Sequence, residues 1–213
     1  MSTEVTFTGT ADVVAHACDG SWIQTYTGGQ VWPLLAKGDI NMQDIVHALA
    51  NICRFGGHTR QFYSVAQHSV LASMFIDQKH AAWGLMHDAA EAYIGDLVRP
   101  IKSHMVCCCG KGPMGVTWQS VQQIEMDLLQ RIAETFKLPW PAPWDAIEKV
   151  DLRLLETERQ LLLNPCRVAW RASGAQPIED LGLLPLSPAA ARAQFIRRAY
   201  ELGLIAASEE IGG

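Results

Sequence analysis

The sequence predicts an all-α domain with a less regular N-terminal arm. Three observations support this: apolar residues recur at helical spacing through most of the chain after residue 40, capping residues precede these runs, and few stretches alternate as a strand does. In "NMQDIVHALANIC", Asn41 is the N-cap of a helix carrying Ile45, Leu49 and Ile52 on one face. After the break "RFGGHTRQ", the run "FYSVAQHSVLASMFI" is a second helix, with Phe62, Val65, Ala66, Ser69 and Ser73 on roughly one face and His68 near its edge. "HAAWGLMHDAAEAYI" is a third, closed by Gly95, and "CCCGKGPMG" is a loop between helices. "TWQSVQQIEMDLLQRIAETF" is a fourth, capped by Thr117, with the stripe Val121, Ile124, Leu128, Ile132 and Phe136; its acids Glu125, Asp127 and Glu134 fall on the wet side. "PWDAIEKVDLRLLETERQLLL" is a fifth, and "SPAAARAQFIRRAYELG" a sixth, with Ser187 as N-cap, Pro188 at the first position and Gly203 as its stop. The first forty residues, with "TEVTFTG" and "TYTGGQVWPLLAKGD", leave room for a short strand, a small hairpin or an extended arm.

With 213 residues, the chain reads as a single domain, 1–213, and its 49% hydrophobic content is enough for a sizeable core. A net charge of -5 argues against a duplex nucleic-acid binder working by broad phosphate neutralisation, while leaving a small anionic ligand open. "MSTEVTFTGT" lacks the basic start and apolar core of a secretory signal, and no apolar run approaches the ~18 residues of a membrane span, so the expectation is a cytoplasmic protein away from the membrane. Three of the six cysteines, Cys107, Cys108 and Cys109, are consecutive, which is not a secreted disulfide framework.

The chemistry concentrates in "GLMHDAAEAYIGDL". His87, Asp88 and Glu91 share one helical sector of about 100° among alanines and large apolar residues. Burying two carboxylates together is costly unless a cation or hydrogen bonds compensate. An imidazole beside a hard carboxylate suits Mn, Fe, Co, Ni or Zn, and the zinc-protease arrangement HExxH is absent. Further ligands must come from elsewhere, and the candidates are His68 and, in "EKVDLRLLE", Asp151.

In this order, His68, then His87 with Asp88, then Asp151, the sequence resembles the HD-domain metal-dependent phosphohydrolases. "SVAQHS", "LMHDAAEAYIGDLVRPIK" and "EKVDLRLLETE" resemble bacterial deoxynucleotide 5'-monophosphatases, and "CRFGGHTRQFYSVAQHSVLAS" is closer to phage-type dATP triphosphohydrolases. The resemblance covers roughly residues 40–165 and implies an HD-type helical bundle holding one divalent transition metal through His68, His87, Asp88 and Asp151. It implies a catalytic role for Glu91, which is placed to orient or deprotonate a water, and for Asp96 a second acid/base or 3'-hydroxyl role. Arg54 matches a phosphate-contacting arginine of the monophosphatase branch.

His58, Arg60 and Lys102 are further candidates for the phosphates, and Trp32 and Phe55 for stacking on a base or for the core. The implied substrate is a deoxynucleotide: a dNTP, dATP by preference, cleaved to deoxynucleoside and triphosphate with Mg accompanying the polyphosphate, or alternatively a dNMP. A different class of function is a non-catalytic domain that binds nucleotide or metal to regulate a partner. Relatives of this kind form dimers or larger rings such as hexamers, and the 117–136 stripe is either core or a surface for such assembly.

Overall fold

The computed structural model describes residues 21–112, 115–168, 170 and 174–206. It is mostly helical, with two small antiparallel sheets. Part of the N-terminal arm is a sheet of three short strands in sequence order: β1 (Ile23–Gln24), β2 (Gln30–Trp32) and β3 (Lys37–Gly38). Gly38 has φ +121, and a β-carbon there would lie 2.2 Å from the Gln30 carbonyl oxygen, so only glycine lets β3 approach β2 this closely. The "TEVTFTG" segment lies outside the described residues.

Helices α1 (Met42–Asn51) and α2 (Val65–Phe75) begin where side-chain caps satisfy their first amides. Asn41 accepts from the Asp44 amide and Ser64 from the Gln67 amide. Phe62 therefore precedes α2 instead of sharing its face. Helix α3 (Ala81–Met86) packs against α2 at Gly84, where a β-carbon would meet the Ser73 Cα and Ile76 Cγ2 at 2.9 Å.

The continuous helix expected through Ile94 does not form. Residues 87–90 are turns before α4 (Glu91–Ile94), and the amides of Ala89, Glu91, Ala92 and Tyr93 each bond three residues back. This tighter winding brings residues i and i+3 into register, so Asp88 and Glu91 stand one above the other. Short helix α5 (Arg99–Lys102) follows.

The segment expected to be a loop is one strand of a hairpin, β4 (Val106–Gly112) with β5 (Gly115–Ser120), antiparallel and bulged between Cys108 and Gly110. Val106, β-branched, suits a pleated strand, and Pro113 and Met114 of the segment lie outside the described residues. Thr117 is thus a strand residue, and Ser120 caps α6 (Val121–Phe136) by accepting from the Gln123 amide. The α6 stripe Val121, Ile124, Leu128 and Ile132 is buried in the chain's own core, which accounts for its periodicity without an oligomer. On the side expected to be wet, Glu125 is half-buried against Lys102.

Helix α7 (Trp144–Leu162) and helix α8 (Pro188–Glu201) complete the bundle, the latter capped by Ser187 as its sequence predicts. Helix α8 packs on α1 and α2, and Arg198 donates from Nε to Ser73 Oγ and from Nη2 to the Ser73 carbonyl. Leu49, Leu85, Met86, Leu128, Leu154 and Phe195 are wholly buried at the centre, each contributing about 1.5–3 kcal/mol. Among the described residues, no helix is long and apolar enough to cross a membrane.

Candidate metal centre

Three helical segments bring four ligand-type side chains to one point. His68 enters from the middle of α2, His87 and Asp88 from the tight turn after α3, and Asp151 from α7. The His68 Nε2 atom lies 3.3 Å from His87 Nε2, 3.2 Å from Asp151 Oδ1 and 3.6 Å from Asp88 Oδ2. The His87 Nε2 atom is 3.3 Å from the same Asp88 oxygen. His68, His87 and Asp151 form a group whose ligand atoms all lie within 4.8 Å of one another, with Asp88 against both imidazoles. Ligands bound at about 2.0–2.2 Å to one ion stand roughly 3–3.6 Å apart along the edges of their polyhedron, and the four distances just given, from His68 Nε2 and His87 Nε2, fall within that range.

The outer nitrogens of both imidazoles are engaged. The His68 Nδ1–H donates to Glu158 Oε1 at 2.7 Å and the His87 Nδ1–H to the Gly84 carbonyl at 2.9 Å. Both acceptors lack a hydrogen to give, so each ring must turn its Nε2 lone pair, or a proton upon it, toward the other ring. Two lone pairs and two carboxylate oxygens facing one another would repel, so the arrangement calls for positive charge between them, which a proton on His68 or a shared cation would supply. Burial lowers the His68 pKa and Arg54 lowers it further. Glu158 and the hydrogen bonds to Asp151 and Glu158 outweigh both and hold it up at about 9. The Asp151 carboxyl, which burial would raise, is instead held far below the usual carboxylate range by His68, Arg54 and His87.

Glu158 was not among the residues singled out from the sequence. It lies two turns beyond Asp151 on α7, and its side chain has no exposed surface. Besides His68 it accepts from the Tyr63 hydroxyl at 2.7 Å and pairs with Arg54 Nη2 at 3.2 Å. Seven-residue spacing from Asp151 in the apolar run "DLRLLETE" is the signal that could have found it. It fixes the orientation of the His68 ring, as outer-shell carboxylates do for metal-ligating histidines.

Arg54, expected at the phosphates, is buried at the floor of the centre. Its Nη1 lies 3.4 Å from Asp88 Oδ2 and its Nη2 is 4.0 Å from Asp151 Oδ1. Burial opposes its charge, but Glu158, Asp88 and Asp151 keep its pKa above the ordinary value. Glu91 is buried, and its Oε2 has no hydrogen-bond partner among the described residues. Burial first, then Asp88 and Asp96, pushes its carboxyl well above the usual range. Half-buried Asp96 is likewise raised by burial, against the pull of Arg54, and shares the field of Asp88, His68 and Lys102.

The remaining predicted contacts are less direct. Lys102 Nζ pairs with Glu125 at 2.5 Å. Arg60 donates through its guanidinium to the Leu161 carbonyl, and His58 lies exposed on the same loop. Phe55 sits on the centre's rim, its ring centroid 5.6 Å from the Arg54 guanidinium carbon. Trp32 lies away in β2 beneath the Lys37 ammonium, and among the described residues no hydrogen bond or ring contact joins it to the centre.

No family model matches the chain. It is 37% identical over 83 residues to an uncharacterized protein of Rhodobacter capsulatus, a match covering 35% of this chain and 40% of that protein. It is 34% identical over 184 residues to the uncharacterized protein YfdR of Escherichia coli (strain K12), covering 85% of this chain and 96% of that protein. With such identity across nearly the full length of the relative, the chain belongs to the family of YfdR.

Proposed function

We propose that the chain is a metal-dependent phosphohydrolase of deoxynucleotides, of the HD type that its ligand order resembles. The observation that carries this reading is the facing pair of imidazole Nε2 atoms at 3.3 Å, backed by fixed Nδ1 hydrogen bonds and flanked by Asp88 and Asp151. His68, His87, Asp88 and Asp151 would hold one divalent ion, the donor set fitting Co, Mn, Zn, Ni or Fe. When bound, such an ion supplies Lewis-acid charge neutralisation beside a phosphoryl oxygen and a lower pKa for water there.

The chain's own groups account for the proton movements. Glu91, with a buried, unpartnered oxygen and a carboxyl pKa raised by burial, is suited to take a proton from the attacking water. Asp96, whose pKa burial also raises, is suited to give a proton to the departing ester oxygen. The water oxygen bonds to phosphorus as the phosphorus–oxygen bond to the 5' carbon's oxygen breaks. Arg54 keeps Asp88 and Glu158 oriented from below and adds positive potential at the phosphate.

On a dNTP, attack at the α-phosphorus yields deoxynucleoside and triphosphate, and dATP is the substrate the sequence resemblance favours. A second reading, a 5'-deoxynucleotidase releasing phosphate from dNMPs, is favoured by one observation. Lys102 and Arg60, the cations available for a longer polyphosphate, are engaged by Glu125 and the Leu161 carbonyl.

The test incubates the protein with Co²⁺ or Mn²⁺ and each dNTP and dNMP in turn, resolving products by anion exchange. Triphosphate with deoxyadenosine from dATP supports the first reading, and phosphate from monophosphates alone supports the second. No product from any of them overturns the enzyme assignment in favour of a regulatory binding domain.

A further inference from the structure

A row of aromatic and cationic side chains runs outward from the metal centre. Arg54 contacts Asp88 and lies 5.6 Å from the Phe55 ring. Beyond it the Trp170 indole meets that ring with centroids 6.5 Å apart and planes inclined by 53°. The Arg159 guanidinium lies 5.9 Å from the indole on its further course. Trp170 comes from the segment after α7, outside the stretch that resembles known phosphohydrolases.

Two features make this juxtaposition a built one. Phe55 holds φ 57 and ψ 29, a left-handed conformation costing a non-glycine residue about 1–2 kcal/mol, with Gly56 and Gly57 left-handed after it. That backbone sets the ring on the rim and not in the core. The Phe55 loop is also stitched to the end of α7, from which the Trp170 segment departs. The Arg60 amide donates to the Leu162 carbonyl at 2.9 Å and its guanidinium to the Leu161 carbonyl. Loop and tail therefore carry their rings to the same place, while 45% of Trp170 stays open to solvent.

We propose that Phe55 and Trp170 form an angled wall that grips the nucleobase, with Trp170 as the residue that selects nucleotides over base-free sugar phosphates. The position of the phosphate relative to this wall rests on the phosphohydrolase reading. Two rings inclined to one another contact a flat heterocycle on a face and an edge, and the flanking guanidiniums add cation–π attraction. Stacking of this kind tolerates any base, because every base presents a π-face. The two steps of 5.6 and 6.5 Å from Arg54 keep the indole within a nucleotide's reach of the metal ligands.

The experiment compares the unsubstituted metal-loaded protein with Trp170→Ala and Trp170→Phe. Deoxyadenosine and 2-deoxyribose 5-phosphate are each titrated, and KM and kcat are measured for the best nucleotide. Trp170→Ala should weaken deoxyadenosine binding and raise the nucleotide KM by roughly ten- to a hundredfold, with kcat and the sugar-phosphate affinity unchanged. Trp170→Phe should recover most of the loss. Unchanged deoxyadenosine affinity and KM in Trp170→Ala, or equal weakening toward 2-deoxyribose 5-phosphate, overturns the wall even if hydrolysis proceeds. Deoxyadenosine binding that depends on Trp170, in a protein that hydrolyses no nucleotide, keeps the wall and overturns the hydrolase reading instead.

Discussion

Replacing Glu158 by glutamine keeps its shape and removes one buried charge. Three partners feel the change: His68 Nδ1–H and the Tyr63 hydroxyl, each at 2.7 Å, and the Arg54 guanidinium at 3.2 Å. With its oxygen at the former Oε1 position the amide still accepts from Tyr63 and His68 but turns its hydrogens on the Arg54 guanidinium, a donor; turned over, it faces both His68 and Tyr63 with those hydrogens. Removing one side of a buried pair costs about 3–5 kcal/mol, a large part of the roughly 5–15 kcal/mol that holds a domain together. Loss of the carboxylate behind His68 should also weaken metal binding about 10–100-fold. Urea denaturation gives the first quantity and metal titration of the folded variant the second. The paired variant Glu158→Gln with Arg54→Met removes both charges, and should be less destabilised than the sum of the two single changes by about 1–3 kcal/mol. A Glu158→Gln cost below about 1 kcal/mol with additive singles would refute this account of how the centre is held.

Further outcomes follow from the same geometry. The raised His68 pKa stabilises the metal-free fold fully below the imidazole's ordinary 6.5, and that stabilisation is lost as pH climbs through about 9. Metal affinity runs the opposite way, rising with pH toward 9 as the competing proton leaves; calorimetry near pH 7 in buffers of different ionisation enthalpy should find about one proton released, and none released would contradict it. Asp88→Ala should lose bound metal and turnover together, whereas Glu91→Gln should retain metal, by elemental analysis, and lose about 100-fold or more in rate. Gly84→Ala should cost about 1–3 kcal/mol in thermal or urea unfolding, because its new methyl meets the Ser73 Cα at 2.9 Å and the α2 backbone cannot give way without moving His68.

Helix existence was legible where periodicity and caps agree, as at Asn41 and Ser187, because both signals are local. The hairpin at Val106–Ser120 was not, since cysteines and glycines carry little period and its pairing is set between strands. The break after α3 was hidden for another reason: alanines around His87 and Asp88 favour a regular helix, and tertiary demands on those side chains override that preference. Convergence of His68, His87 and Asp151 could be expected from their types and apolar settings. The engagement of Arg54 with Glu158, 104 positions away, could not, because nothing local in either residue marks a partner.

The charges of the centre explain why Arg54 lies beneath it. Asp88, Asp151 and Glu158 bring three negative charges against the single positive charge of Arg54, leaving two. A proton on His68 neutralises one of these, which fits its raised pKa, and still leaves the cluster short by one. A divalent cation, as the proposed function requires, would neutralise both and let His68 and His87 act as neutral donors. Without Arg54 the cluster would carry three unbalanced charges in a buried site, more than a divalent ion cancels. The buried arginine thus leaves the centre a net charge that a divalent ion, in the proposed metal-dependent reading, would match, and leaves Glu91, with its carboxyl held up by burial and by Asp88, available for a proton.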